Sequence, residues 1–351
     1  MRSQASVAEL GEFGLIGRVA SMLATPPSPG LVPGLKVGIG DDAAVWAPTP
    51  GTWSVITTDA LIEDVHFRLR TTSWYDLGWK SLAVNLSDVA AMGATPRYAV
   101  VSLGLSGRVP VAAIDEFCRG MADLAAQYDT AIVGGDTVEA PCTVISVAVV
   151  GETLPASPGE PPPLLRRSAG RVGDLVAVTG ELGASAGGLR LLEAAGAPPA
   201  AAAAAADVLL AAHRRPIPRV AEAAVLLAHG VRCALDLSDG LLGDAQRLAE
   251  ASGVGVVLEA ARVPIAPALQ ALFPAEALEL ALGGGEDYEL LCAGPPAVLD
   301  AAAAALAARG GPALTVVGRL VPPPATGPGV QVVDAQGAPL PLRGGYAHFG
   351  G

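Results

Sequence analysis

A run dense in proline, glycine and serine, LPASPGEPPP at residues 154–163, interrupts a chain that otherwise alternates strand-like and helix-like segments. Such composition ends regular structure on both sides and reads as an interdomain linker. It divides the 351 residues into 1–153 and 164–351. Each part is large enough to close its own core, as domains of about 150 residues do. Both mix strands and helices, so the expected fold class is α/β (α+β), two domains with mixed sheets flanked by helices.

In the first part a helical start near Glu9–Leu23 precedes a loop from Thr25 to Gly34 and strands near Ala43–Trp46 and Trp53–Thr58. A helix over Asp76–Met92 stops at Gly93 with Pro96 beyond, and Arg97–Leu105 reads as a buried strand. Ile114, Phe117, Met121, Leu124 and Tyr128 recur at the spacing of a core-facing helical stripe. Strands at Ala131–Val133 and Thr143–Val150 follow, and the second part contributes strands at Leu175–Thr179, Cys233–Leu237, Val254–Leu258, Tyr288–Cys292 and Leu314–Val317 among Ala-rich helices.

Hydrophobic residues make up 51% of the chain, but the longest apolar runs, Ala201–Ala206 and Ala301–Ala308, are too short to span a bilayer. Glu9 and Glu12 precede any apolar core of signal-peptide length, so a soluble, unexported chain is expected. Cys118, Cys142, Cys233 and Cys292 are far apart, with neither metal-ligand nor disulfide-framework spacing, which suits a reducing cytoplasm. With a net charge of −12 and no basic run, nucleic acid is excluded as a natural partner. Lys36 and Lys80 are the only lysines and neither lies in a GxxxxGK[ST] loop, so any nucleotide is bound without a P-loop.

Carboxylates recur in five short motifs: GIGDD (38–42), TTD (57–59), NLSD (85–88), GGDT (134–137) and DLSDG (236–240). One Gly-Asp pair is ordinarily a turn, because glycine supplies positive φ and aspartate bonds its own backbone. Here four of the five abut apolar strand-like runs, and the fifth lies in a helix where Ser81, Asn85 and Asp88 share one face. Gathering Asp42, Asp59, Asp88, Asp136, Asp236 and Asp239 would raise their pKa values unless cations neutralise them. Oxygen donors without an adjacent His or Cys favour Mg2+ or Mn2+, ions that bridge carboxylates to substrate phosphates.

Taken in order, GEFGLI, GIGDDAAV, TTDALIEDVHF, KSLAVNLSDVAAMGATP, IVGGDT, RRSAGRVGD, LDLSDGL, GGGEDYELL and GGYAHF resemble the thiamine-monophosphate kinase family, of the superfamily that includes aminoimidazole ribonucleotide synthetase. The resemblance spans nearly the whole chain. Residues 155–163, the Ala-rich tract near 201 and the Pro-rich stretch 322–328 lie outside its pattern and read as variable surface loops.

The resemblance implies an enzyme that phosphorylates thiamine monophosphate with ATP, assisted by several Mg2+ ions. It implies metal ligation by Asp42, Thr57, Thr58, Asp59, Asp88, Asp136, Asp236 and Asp239, the catalytic charge residing on Asp42, Asp59, Asp88 and Asp136. Nucleotide contacts are implied for Gly135, Asp136, Arg167 and Ser238, and contacts to the acceptor for His66, Glu286 and Tyr346. It further implies that the first domain binds ATP and metal and forms a homodimer, while the second adds metal and substrate contacts. Two alternatives stand beside this reading: another ATP-using enzyme of the superfamily, or a catalytically silent nucleotide-binding protein.

Overall fold

The computed structural model describes residues 5–23, 34–157, 159–194 and 202–340. Most of the loop expected from Thr25 and the whole GGYAHF tail, with Tyr346, lie outside them. The chain forms two compact units, residues 1–89 with 94–162, and 90–93 with 163–351.

The first unit runs α1 (Val7–Leu10), α2 (Glu12–Leu23), β1 (Leu35–Val37), β2 (Val45–Trp46), β3 (Ser54–Ile62), α3 (Trp74–Ala91), β4 (Thr95–Leu105), α4 (Val111–Gln127), β5 (Ala131–Glu139) and β6 (Val144–Glu152), the last two residues of α3 belonging to the other unit. Ser6 caps α1 through a reciprocal capping box with Glu9. The main sheet has the order β3-β6-β4-β5, with β4 and β5 parallel and the other pairs antiparallel. One face is the core. Leu77, Leu82, Leu86 and Val89 of α3, and Ile114, Phe117, Met121 and Leu124 of α4, pack with Val101, Leu103, Val147 and Val149 of the strands. The helical stripe seen in the sequence is therefore the buried side of α4.

The opposite face of this sheet is open. Across β3, β4 and β5 it carries Ile56, Val100 and Val138, which are 74%, 40% and 54% exposed. Among the described residues it is covered at one end, where Tyr98, Ala131 and Val133 pack with Leu35, Ala44 and Trp46.

The second unit contains β7 (Leu175–Thr179), α5 (Ala184–Glu193), α6 (Ala203–Arg214), α7 (Val220–Ala228), β8 (Cys233–Asp236), α8 (Leu241–Ser252), β9 (Gly255–Glu259), α9 (Pro267–Leu272), α10 (Ala277–Gly283), β10 (Leu290–Gly294), α11 (Pro296–Ala308), β11 (Leu314–Val321) and β12 (Gly329–Val333). Its sheet has the order β12-β9-β11-β7-β10-β8, antiparallel except for β12 beside β9. Val176, Val178, Leu235, Leu248, Val256, Leu258 and Leu291 form its core.

Three expectations are corrected here. The Ala-rich tract is not a loop where it is described: from Ala203 it is helix α6, which buries Ala206, Leu209 and His213. Alanine is the strongest helix former, and composition hid the inward stripe. Strand β10 starts at Leu290 rather than Tyr288, because Glu286 and Tyr288 adopt φ of +69° and +51°, outside the strand region. Finally, β12 was missed because its short apolar run directly follows the Pro-rich stretch at 322–328. Among the described residues no helix is long and apolar enough to cross a membrane.

Candidate functional site

Strand β3 carries Thr57, Thr58 and Asp59 in succession, so strand alternation sends them to opposite faces of the sheet. Thr57 and Asp59 lie on the face covered by α3. There the Thr57 hydroxyl donates to Asp88 Oδ2 at 2.5 Å, and the Asp59 backbone N–H donates to Asn85 Oδ1 at 3.0 Å. The polar stripe of α3 thus meets β3. Its Ser81 and Asn85 are buried, Ser81 donating to the Gly78 carbonyl and Asn85 Nδ2 to the Ser81 carbonyl, each at 3.0 Å. Asn85 was noticed in the sequence only as part of this stripe, yet it fixes the strand that bears Asp59.

Thr58 lies on the open face, its hydroxyl donating to the Val147 carbonyl at 3.0 Å. Asp136 of β5 is also there, paired with Ser102 of β4, and is exposed. Its neighbour Gly135 is exposed, yet a Cβ there would come within 2.0 Å of the Val101 carbonyl oxygen, so no side chain fits at that position. Asp42 is exposed in the turn after Gly40, its N–H bonded to Asp41 Oδ1 at 2.9 Å. The structure therefore joins Asp59 and Asp88 in one layer through Thr57 and Asn85, and sets Asp136 and Thr58 on the other side of the sheet. His66 follows β3 in a tight turn, where its Nδ1 accepts the Ile62 N–H at 3.1 Å. That acceptor role leaves the ring proton on Nε2 in the neutral form.

In the second unit, two loops lie back to back. The Glu286 N–H donates to the Ser238 carbonyl at 2.8 Å, the Tyr288 N–H to the Leu237 carbonyl at 2.9 Å, and the Leu237 N–H to the Glu289 carbonyl at 2.8 Å. Gly240 allows the approach: at φ +98°, a Cβ there would lie within 2.9 Å of the Gly283 and Gly284 backbone. Asp236 is buried at the end of β8, and Asp239 is ion-paired with Arg247. Ser238, Asp239 and Glu286 are thus brought together. Arg167 is not: its carbonyl accepts from Ser252 Oγ at 2.6 Å, at the far end of α8 from Asp239.

Several charged residues here escaped sequence reasoning. Arg247 also donates to Asp244 Oδ1 at 2.7 Å, and Asp244 accepts the Asp239 N–H at 3.0 Å. Burial pushes the Asp244 carboxyl up to about 6 despite these donors. Asp287 accepts the N–H groups of Gly183 at 2.7 Å and Ser185 at 3.2 Å, at the start of α5. It is half-buried, and the loss of solvent around the carboxyl lifts it to about 7 against those two bonds. Glu289 is raised by burial as well, although Arg219 and the Thr179 hydroxyl, at 2.6 Å, hold it. The one signal available was the acid density of GGGEDYELL, where only Glu286 was singled out.

A divalent cation is chemically compatible with the first unit. Asp42, Asp59 and Asp136 are exposed and Asp88 half-buried, and with the threonine hydroxyls they offer oxygen donors, the kind hard cations prefer, on both faces of the sheet. Among the described residues no group of three or more His, Cys, Asp or Glu could hold a metal ion alone.

Residues 40–153 match the family "AIR synthase related protein, N-terminal domain", and residues 171–330 the corresponding C-terminal domain. The thiamine-monophosphate kinase of Bacillus subtilis is 39% identical over 73% of this chain and 77% of its own length. That of Escherichia coli K12 is 36% identical over 80% and 81%. Among solved structures, the thiamine-monophosphate kinase of Stenotrophomonas maltophilia superposes with a TM-score of 0.77 at 36% identity, covering 92% of this chain and 96% of its own. AaThiL, complexed with AMPPCP and TMP, does so with a TM-score of 0.72 at 32% identity, covering 97% and 98%. The hydrogenase maturation protein HypE in complex with ATP shares the fold, with a TM-score of 0.71 at 20% identity.

Proposed function

The chain belongs to the AIR synthase related family, among its thiamine-monophosphate kinases, and from that premise we propose that it transfers the γ-phosphoryl group of ATP directly to the phosphate of thiamine monophosphate, with Mg2+ at the carboxylates of the first unit. The observation that carries the reading is the near-complete coverage of a relative solved with both AMPPCP, a non-hydrolysable ATP analogue, and TMP.

The acceptor explains the residue set. A phosphomonoester has a second pKa near 6 and is largely deprotonated at neutral pH, so no general base is needed. The obstacle is repulsion between two polyanions, which makes charge neutralisation and alignment the main tasks. Bound Mg2+ supplies that neutralisation; Asp42, Asp59, Asp88 and Asp136 would hold it, with Asp236 and Asp239 as further candidates. Thr57 steadies Asp88, and Asn85 fixes the β3 backbone at Asp59. Gly135, Asp136, Arg167 and Ser238 are the candidate nucleotide contacts, the arginine suited to phosphate by its planar donors. His66 would present Nε2–H to the acceptor, and Glu286 a negative charge to its permanent thiazolium cation, with Tyr346 as an aromatic partner.

The open face of the first unit's sheet supports a homodimer, because Ile56, Val100 and Val138 form an apolar surface that a second copy would cover. Its widely spaced cysteines support a location in the reducing cytoplasm. The test is ADP formation with and without thiamine monophosphate: release dependent on that acceptor is the expected result, whereas release indifferent to it, or none, overturns the reading.

A further inference from the structure

Helix α6 lies outside the motifs that carry the acidic sites, yet it sends one polar side chain inward. His213, in its last turn, is buried. Its Nδ1 lies 3.1 Å from Ser185 Oγ and 3.3 Å from Glu286 Oε2. An ionised carboxylate only accepts, so the contact with Glu286 calls for a proton on Nδ1. Serine and glutamate meet the same ring nitrogen, whereas a nucleophilic triad places hydroxyl and carboxylate on opposite nitrogens. Ser185 is also fully buried. A hydrolytic serine is thereby excluded, and orientation remains as the task of the imidazole.

What it orients is a loop under constraint. Glu286 and Tyr288 hold φ of +69° and +51°, a region that side-chain-bearing residues rarely adopt. Between them Asp287 is clamped by the Gly183 and Ser185 amides, and the Glu286 N–H is tied to the Ser238 carbonyl. The main chain is thus fixed from two sides. The Glu286 side chain, 29% exposed, takes an imidazole partner from a third element.

We propose that His213 is a positioning residue for the acceptor: by holding the Glu286 carboxylate at its Nδ1 it sets affinity for the thiamine moiety without touching ATP, an inference that rests on the reading of Glu286 as an acceptor contact. The discriminating change keeps volume and removes the donor. In His213→Leu the KM for thiamine monophosphate rises about tenfold while the KM for ATP stays within about twofold, the pattern of lost ground-state binding to one substrate. His213→Asn, whose amide falls where Nδ1 lies, restores it to within about threefold. Where leucine is not tolerated by folding, as judged by thermal melting, His213→Gln replaces it with the same expectation, since its amide reaches the Nε2 position instead. In the double variant with Glu286→Gln the KM is no higher than for Glu286→Gln alone, because the two residues act as one.

A folded donor-less variant with unchanged acceptor KM, or equal rises for both substrates with no rescue by asparagine, overturns the proposal. Glu286→Gln separates the two levels. If it leaves the acceptor KM unchanged, the reading of Glu286 itself fails; if it raises that KM while the His213 variants do not, only the positioning role fails.

Discussion

The two units handle their acids in opposite ways. In the second, clustered carboxylates come with a cation or donor from the same unit: Arg247 for Asp239 and Asp244, Arg219 for Glu289, His213 for Glu286, and the α5 amides for Asp287. In the first, Arg18, Arg97 and Arg119 pair with Asp115, Glu152 and Glu116, while Asp42, Asp88 and Asp136 enter no ion pair among the described residues. Acids neutralised internally stabilise a fold or orient a neighbour. Acids left to solvent are suited to a cation that arrives with the substrate.

That contrast can be broken. The largest effect is expected at Asp59: Asp59→Asn keeps the Asn85 bond to its backbone, and so the fold, but lowers kcat on the order of 10^3-fold by removing charge where it is needed. A folded variant with near-normal turnover at saturating Mg2+ would place Asp59 with the structural acids instead. Next comes Arg219→Ala, which strips the cation from buried Glu289 and should cost about 3 kcal/mol in urea unfolding, as breaking a buried pair does. A loss below about 1 kcal/mol would mean that Glu289 is held well enough without it.

The third expectation concerns ligands. Because Asp42, Asp88 and Asp136 enter no ion pair among the described residues, Mg2+ and a non-hydrolysable ATP analogue together should raise the melting temperature by more than their separate rises combined, each ligand contributing up to about 2.7 kcal/mol at 100 times its Kd. Asp88→Asn should remove most of that synergy; additive rises in the wild type would erase the contrast.

The most gradual effect is a pH slope in the second unit. Asp287 is raised by burial from 3.8 to about 7, so the folded state keeps a proton that the unfolded chain has lost. Stability contributed by that proton is complete below the lower value and declines as pH rises towards the upper one, by at most about 1.4 kcal/mol per pH unit. Asp287→Asn should therefore gain on the wild type between pH 4.5 and about 7 in urea midpoints; a constant difference across that range would show that Asp287 is ionised throughout.

Periodicity and composition made much of this architecture readable. The stripe from Ile114 to Leu124 is the core side of α4, and Leu175–Thr179 is β7 as expected. Motif order led to the family. What the sequence concealed were partnerships between distant segments: Asn85 with β3, Arg247 with Asp239, and His213 with Glu286. Each joins a residue of unremarkable local context to an acid that did stand out, and local pattern holds no information on such a contact. Alternation along β3 was legible in principle. The TTD motif had to divide between two faces, yet treating it as one cluster of ligands passed over that rule.

The sheet order β3-β6-β4-β5 has a consequence for the chain as it is made. Strand β3 is an edge strand whose partner is β6, with Ser54 opposite Glu152 and Ile62 opposite Val144. During synthesis the segment bearing Thr57, Thr58 and Asp59 must wait for about 90 further residues, roughly 5 to 20 seconds at ordinary elongation rates, before its hydrogen bonds can close. Polar side chains guard that interval: a nascent strand interrupted by the Asp59 charge and two hydroxyls is a poor template for pairing with another chain. The residues proposed to serve chemistry in the finished protein thus also suit the unfinished one.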